Sequence, residues 1–153
     1  MNGKIVGIGL LGVGAVAGVG MWYLQEFHFY DVTYADSLTI QTATGPLTVP
    51  LDGFQGIDGD SSPLKWRACA RLSDQPVDPV PFEGATPLGA PFWFDCFDYG
   101  QLTADLASGA ARAVLGQPEI RPDVDRVLAI YPDGRVYGWH QYNDKTPERG
   151  VMD

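Results

Sequence analysis

The chain holds two cysteines, Cys69 and Cys96, and two histidines, His28 and His140, and their spacing limits the chemistry they can do. Redox-active and metal-delivery pairs keep their thiols two or three residues apart on one turn, whereas these cysteines are 27 apart. That spacing points to a structural bridge. The pair flanks a segment with five prolines, Gln75 to Pro91, so a disulfide would staple its two ends. Closing a loop of that size stabilises by roughly 3–4 kcal/mol in the chain-entropy model. The expectation depends on location, since a reducing compartment would leave both residues as thiols.

Other groupings are weaker. The histidines and cysteines together could form a mixed nitrogen–sulfur metal site, but no ligand spacing supports it. His28 falls among aromatics and His140 ends an apolar run beside Trp139 and Tyr142, so both read as solvated or interface histidines. Asp58-Gly59-Asp60 invites a calcium loop, yet the sixth and twelfth positions counted from Asp58 hold Pro63 and Cys69, where glycine and glutamate are required. There is no nucleophile elbow, no Ser/His/Asp order and no helical His-Glu-x-x-His. Two histidines leave little material for acid–base work, which weighs against an enzyme. A converging pair among the nineteen acids is left open. No residue calls for a cofactor or a metal.

The elements that must position these residues begin with MNGKIVGIGLLGVGAVAGVGMWYLQEF. Gly7, Gly9 and Gly12 spell G-x-G-x-x-G, the dinucleotide fingerprint, which needs a strand, a tight turn and a helix meeting a pyrophosphate. A helix covering a sheet shows a polar face to water, and Leu10 to Leu24 has no polar side chain before Tyr23. Six glycines would each cost such a helix roughly 1 kcal/mol in water relative to alanine. A bilayer removes both objections, because it enforces the helix and tolerates glycine. Residues 5–24 therefore read as a membrane span about 30 Å long, with Trp22 and Tyr23 at its interface.

Lys4 precedes the span while Glu26, Asp31 and Asp36 follow it. This places the N-terminus in the cytoplasm and residues 26 onward on the periplasmic side of an inner membrane. Ala15-Val16-Ala17 also fits a signal-peptidase site that would remove residues 1–17, although the apolar run continues to Leu24. Gly14 and Gly18 form a G-x-x-x-G step, which suits close packing against an identical chain or a different protein. Beyond the span, nine bases face nineteen acids, a surface that repels phosphate backbones and excludes nucleic acid as a partner.

The chain thus divides into an anchor at 1–25, an exported domain at 26–142 and a flexible tail at 143–153. Within the domain, Leu38–Val49 reads as a hairpin broken at Gly45-Pro46, and Asp52–Pro63 as loop. Lys65–Leu72 alternates as a half-buried strand, with Trp66, Ala68, Ala70 and Leu72 inward and Lys65, Arg67, Cys69 and Arg71 outward. The proline-rich loop at 75–91 lies outside any sheet, and Pro91–Phe97 resumes an aromatic strand. Asp98 and Gln101 form a capping-box pattern opening a helix through Leu102, Leu106, Ala110, Ala113 and Val114, ended by Gly116 and Pro118. Residues 127–142 form a hairpin around Pro132-Asp133-Gly134. The fold class is α+β: four to six mainly antiparallel strands with one covering helix, behind a transmembrane helix.

In its MNGK start, single span and closing aromatic hairpin, the chain resembles a family of short alphaproteobacterial membrane proteins of unknown function. The likeness covers most of the chain and implies no catalytic residue. The expected function is a non-catalytic accessory or assembly factor whose exported domain docks on a membrane or envelope protein, with a homo-oligomer also open. The alternative is a tethered small-molecule or metal-binding module. Aromatic segments suggest Trp93, Tyr137, Trp139 and His140 as the binding surface.

Overall fold

A computed structural model describes residues 2–143 of the chain. Asn2 opens the first helix, α1 (Gly3–Tyr23), by accepting a hydrogen bond from the Lys4 amide on its side chain. No residue of α1 is buried, and only Trp22 and Tyr23 at its end meet rings from the rest of the chain. Together with the wider π turn that follows, Leu24–His28, it is a helix long and apolar enough to cross a membrane. Gly7, Gly9 and Gly12 lie inside it with no strand before them, which removes the dinucleotide turn.

Seven antiparallel strands follow: β1 (Asp31–Thr33), β2 (Ser37–Thr42), β3 (Gly45–Asp58), β4 (Arg67–Leu72), β5 (Arg112–Arg121), β6 (Val124–Ile130) and β7 (Arg135–Tyr142). The second helix, α2 (Tyr99–Ser108), sits between β4 and β5 in the chain. The sheet order is β1-β3-β4-β7-β6-β5, and β2 pairs with β3 off that path.

Strand β3 serves two neighbours in succession. Its first half pairs with β2, while the residues from Leu51 onward pair with β4 and β1. A register shift between Asp52 and Gln55, with Gly53 at φ +62°, bends the strand between these duties. The expected loop from Asp52 is therefore strand as far as Asp58. Its glycines mark a bulge and a close approach: a Cβ at Gly56 would meet Thr33 Oγ1 at 2.5 Å. The β2–β3 turn falls at Ala43-Thr44, so Gly45-Pro46 begins a strand.

The proline-rich excursion corrects a second expectation. Residues 78–82 lie between β2 and β5 and bond to both. Ala43 and Val80 amides reach the Asp78 and Gln41 carbonyls, and Leu115 and Phe82 amides reach those of Val80 and Ala113. Pro79 and Pro81 make only isolated bridges there, as residues without an N–H must. The segment closes the gap between the edges of β2 and β5 and curls the sheet around a core of Leu38, Ile40, Val49, Trp66, Leu128 and Val136, among others. Each such side chain, fully buried, contributes about 1.5–3 kcal/mol.

The outer face is covered by α2 and by the chain from Phe82 to Phe97, over Ile57, Val127, Ala129 and Trp139. Asp98 caps α2 by accepting from the Gln101 amide, but the Gln101 side chain bonds Asp105 instead of returning to the cap. Gly109 at φ +82° ends the helix two turns earlier than expected, and Ala113 and Val114 belong to β5. Pro91–Phe97 is a pair of turns, not a strand, with the Phe94 amide on Pro91 O and the Phe97 amide on Phe94 O. The closing hairpin is as expected, with Gly134 at φ +94° in the turn. Of the expected tail only Asn143 is described, and it is tied to Glu119 and Asp125 through its side-chain amide.

Candidate functional site

Cys69 and Cys96 are joined in a disulfide with Cα atoms 6.2 Å apart. It links β4 to the turns at 91–97. A second fastening lies two residues earlier on the strand. Arg67, expected on the polar face, is buried and gives all its hydrogen bonds to backbone: Leu64 O, Trp66 O, Leu88 O and Gly89 O. Burial pulls its pKa down to about 10, against the pull of Tyr30 and Asp58. The bridge and the guanidinium hold the same loop onto the same strand.

That loop presents its rings to the end of α1. The Trp93 indole N–H donates to the Glu26 carbonyl at 2.5 Å. Phe27 stacks on Trp93 at 6.1 Å and meets Phe92 edge-on at 5.9 Å, while Phe92 lies parallel to Trp22 at 6.2 Å. The π turn, with the Phe29 amide on Leu24 O, sets Phe27 over both Trp22 and Tyr23. Lys65 adds a cation above Phe29 and Tyr30, 5.0 and 4.6 Å from their ring centres. Gly59 packs so tightly on the Phe29 carbonyl that a Cβ there would overlap it. The result is an aromatic collar where the helix meets the domain.

Beside the collar runs a cleft of about 330 Å³ between β1 and the turns, lined by Val32, Tyr34, Phe54, Trp93 and Phe94. Val32 and Tyr34 are 61% and 88% exposed. Thr33 Oγ1 also borders it and is the one buried side-chain polar atom without a hydrogen-bond partner among the described residues. Strand β1 pairs only with β3, which leaves its outer edge open.

The expected binding residues do not converge. Trp93 lines this cleft, and Tyr137 lines a separate hollow beside the disulfide. Trp139 is fully buried and bonds Gln141, and His140 is 4% exposed. Neither can belong to a surface, because alternate residues of β7 are covered from both sides: Trp139 under the outer layer, His140 stacked on Trp66 at 4.9 Å. His140 accepts from Arg126 Nε on its Nε2 and so holds its proton on Nδ1, toward Pro63 O. Burial, then the positive charge of Arg126, lowers its pKa to about 4. It is an interior histidine rather than a solvated one, whereas His28 is exposed.

Tyr131 donates to Asp105, and burial together with that carboxylate raises its pKa, opposite to what a nucleophile or base requires. Among the described residues no group of three or more His, Cys, Asp or Glu could hold a metal ion. Gly14 and Gly18 on α1 have open space where a Cβ would stand.

Sequence reasoning missed Phe27, Phe92, Lys65 and Arg67. One signal was available: in so acidic a chain, no charged residue occurs between Glu83 and Asp95. No curated protein and no solved structure matches the chain. A family model does match residues 37–149, which takes in every strand from β2 onward and leaves out the helix, its π turn and β1. The chain belongs to that family, a family of unknown function (DUF6446).

Proposed function

We propose that this chain is a single-pass accessory or assembly protein of an alphaproteobacterial inner membrane, with a cytoplasmic N-terminus and a non-catalytic periplasmic domain that docks an envelope protein. The observation that carries the reading is the cleft beside the collar. Of its exposed apolar residues, Val32 lies on an open strand edge and Tyr34 just past the strand's end, both within a few residues of the helix end. An open edge with apolar side chains is the pattern that accepts an extended segment of another protein, backbone bonds giving affinity and side-chain pockets giving choice. The disulfide supports an oxidising location, and Lys4 before the span with acids after it supports the orientation.

A photo-crosslinking amino acid at Tyr34, in the full chain in its native membrane, tests the docking. The expected result is one discrete protein adduct, absent when the probe replaces Ala107 on α2 and lost in Val32→Asp without a change in melting temperature. A ladder of adducts equal at both positions would refute it.

A further inference from the structure

We propose that the turn at Pro91–Trp93 is a second membrane contact, seated in the lipid interface of the same leaflet that the helix leaves, so that the domain lies against the bilayer instead of swinging on a stalk. The proposal rests on the membrane-anchored reading above. Its first observation is depth. Phe92 lies parallel to Trp22, inside α1, at 6.2 Å. Four residues of helix separate Trp22 from Glu26, a rise of about 6 Å. The polar interface of one leaflet is roughly 5–8 Å thick. If Glu26 is in water, Trp22 and the ring stacked on it are in the interface.

The second observation is exposure without a protein partner. Phe92 is 65% and Trp22 50% exposed, and the exposed parts are continuous with α1, whose apolar side chains are all open. The third is charge. The eleven residues Gly84–Phe94 carry none, in a domain that is otherwise strongly acidic and would stand off anionic headgroups. Lys65, whose ammonium lies over the Phe29 and Tyr30 rings and donates to the Phe29 carbonyl, is a cation at the collar. Amphipathic and aromatic rings are the side chains that prefer this layer. The disulfide and Arg67 acquire a purpose here, since a loop pressed on a moving lipid surface must be fixed to the strand behind it.

The test uses the full chain reconstituted in phosphatidylcholine vesicles whose acyl chains are brominated near the headgroup. One variant carries Trp22→Phe and Phe92→Trp and a second Trp22→Phe alone, with Trp93 keeping its bond to Glu26 in both; the difference between them reads position 92, and the wild type against the second reads Trp22. The expected result is at least a twofold loss of emission from position 92, matched at Trp22, with iodide in the buffer having little effect. Quenching of Trp22 but not of position 92, together with strong iodide quenching at 92, would overturn the membrane contact and leave the anchor standing. Protection of position 92 from both quenchers would show instead that protein covers it, and would also overturn the proposal. Loss of lipid quenching at both positions would overturn the anchor and this inference together.

Discussion

Trp93 and Glu26 are 67 residues apart in sequence, and the indole N–H of one donates to the backbone carbonyl of the other. The bond joins the loop of the domain to the last turn of the long apolar helix, at a carbonyl that the end of a helix would otherwise leave for water. Trp93→Phe keeps the ring and removes the donor, at a cost of about 1 kcal/mol. The expected outcome is a domain with an almost unchanged melting temperature but faster proteolytic cleavage between residues 28 and 36.

The bridge between Cys69 and Cys96 closes a 27-residue loop, for which the chain-entropy model gives about 3–4 kcal/mol. Cys96→Ser should lower the melting temperature by roughly 10 °C or more in a domain of this size. Calorimetry of the wild-type protein with and without reductant checks it, and the reduced wild type should match the variant.

His140 makes stability depend on pH. Its folded pKa, about 4, lies below the ordinary value of 6.5, so between those values the unfolded chain takes up a proton that the folded chain refuses. The stability from neutral His140 is present above pH 6.5, falls as pH drops toward 4, and changes no further below that. The full span is about 3 kcal/mol. Denaturant midpoints at pH 7.5, 5.5 and 4.5 should decline, and His140→Gln should flatten the part of that decline owed to this residue.

Gly138 lies beneath the Trp66 ring, where a Cβ would come within 2.6 Å of it and 3.0 Å of Leu128. Both neighbours are buried and cannot swing aside. Gly138→Ala should destabilise by about 1–3 kcal/mol through overpacking. Gly14→Ala and Gly18→Ala should leave the domain's melting untouched, since nothing lies near them; reduced association in a two-hybrid membrane assay would identify them as a packing face.

How much of this was legible depended on whether local chemistry or distant contacts set the outcome. The long apolar helix, the Asp98 cap and the β6–β7 hairpin follow from short-range pattern, and the cysteine pairing from the even count and the spacing. Gly116 reads as a helix stop because Ala113 and Val114 fit a helical face, yet Gly109 has already turned the chain. Alanine and valine at that point serve either structure, and only pairing with β6 decides. Alternation places Arg67 on the outward face with Lys65 and Arg71. Two of the four carbonyls around it come from residues 88 and 89, which no local pattern connects to it. The aromatic run suggests a binding surface at Trp139 and His140, but both faces of β7 are covered, one by the curl of the sheet and one by the outer layer. The collar needs the loop at 91–93 to meet the end of α1, a contact across 67 residues of sequence.

Location underlies the anchor, the bridge and the docking alike, and thiol accessibility reads it. Cells are treated with a large membrane-impermeant maleimide after permeabilising only the outer membrane, with or without prior reduction, and the protein is followed by its shift on a gel. The expected result is no shift without reductant and a two-label shift with it, the inner membrane remaining intact. A shift obtained without reductant, and only after the inner membrane is lysed, would place reduced Cys69 and Cys96 in the cytoplasm and contradict the periplasmic domain.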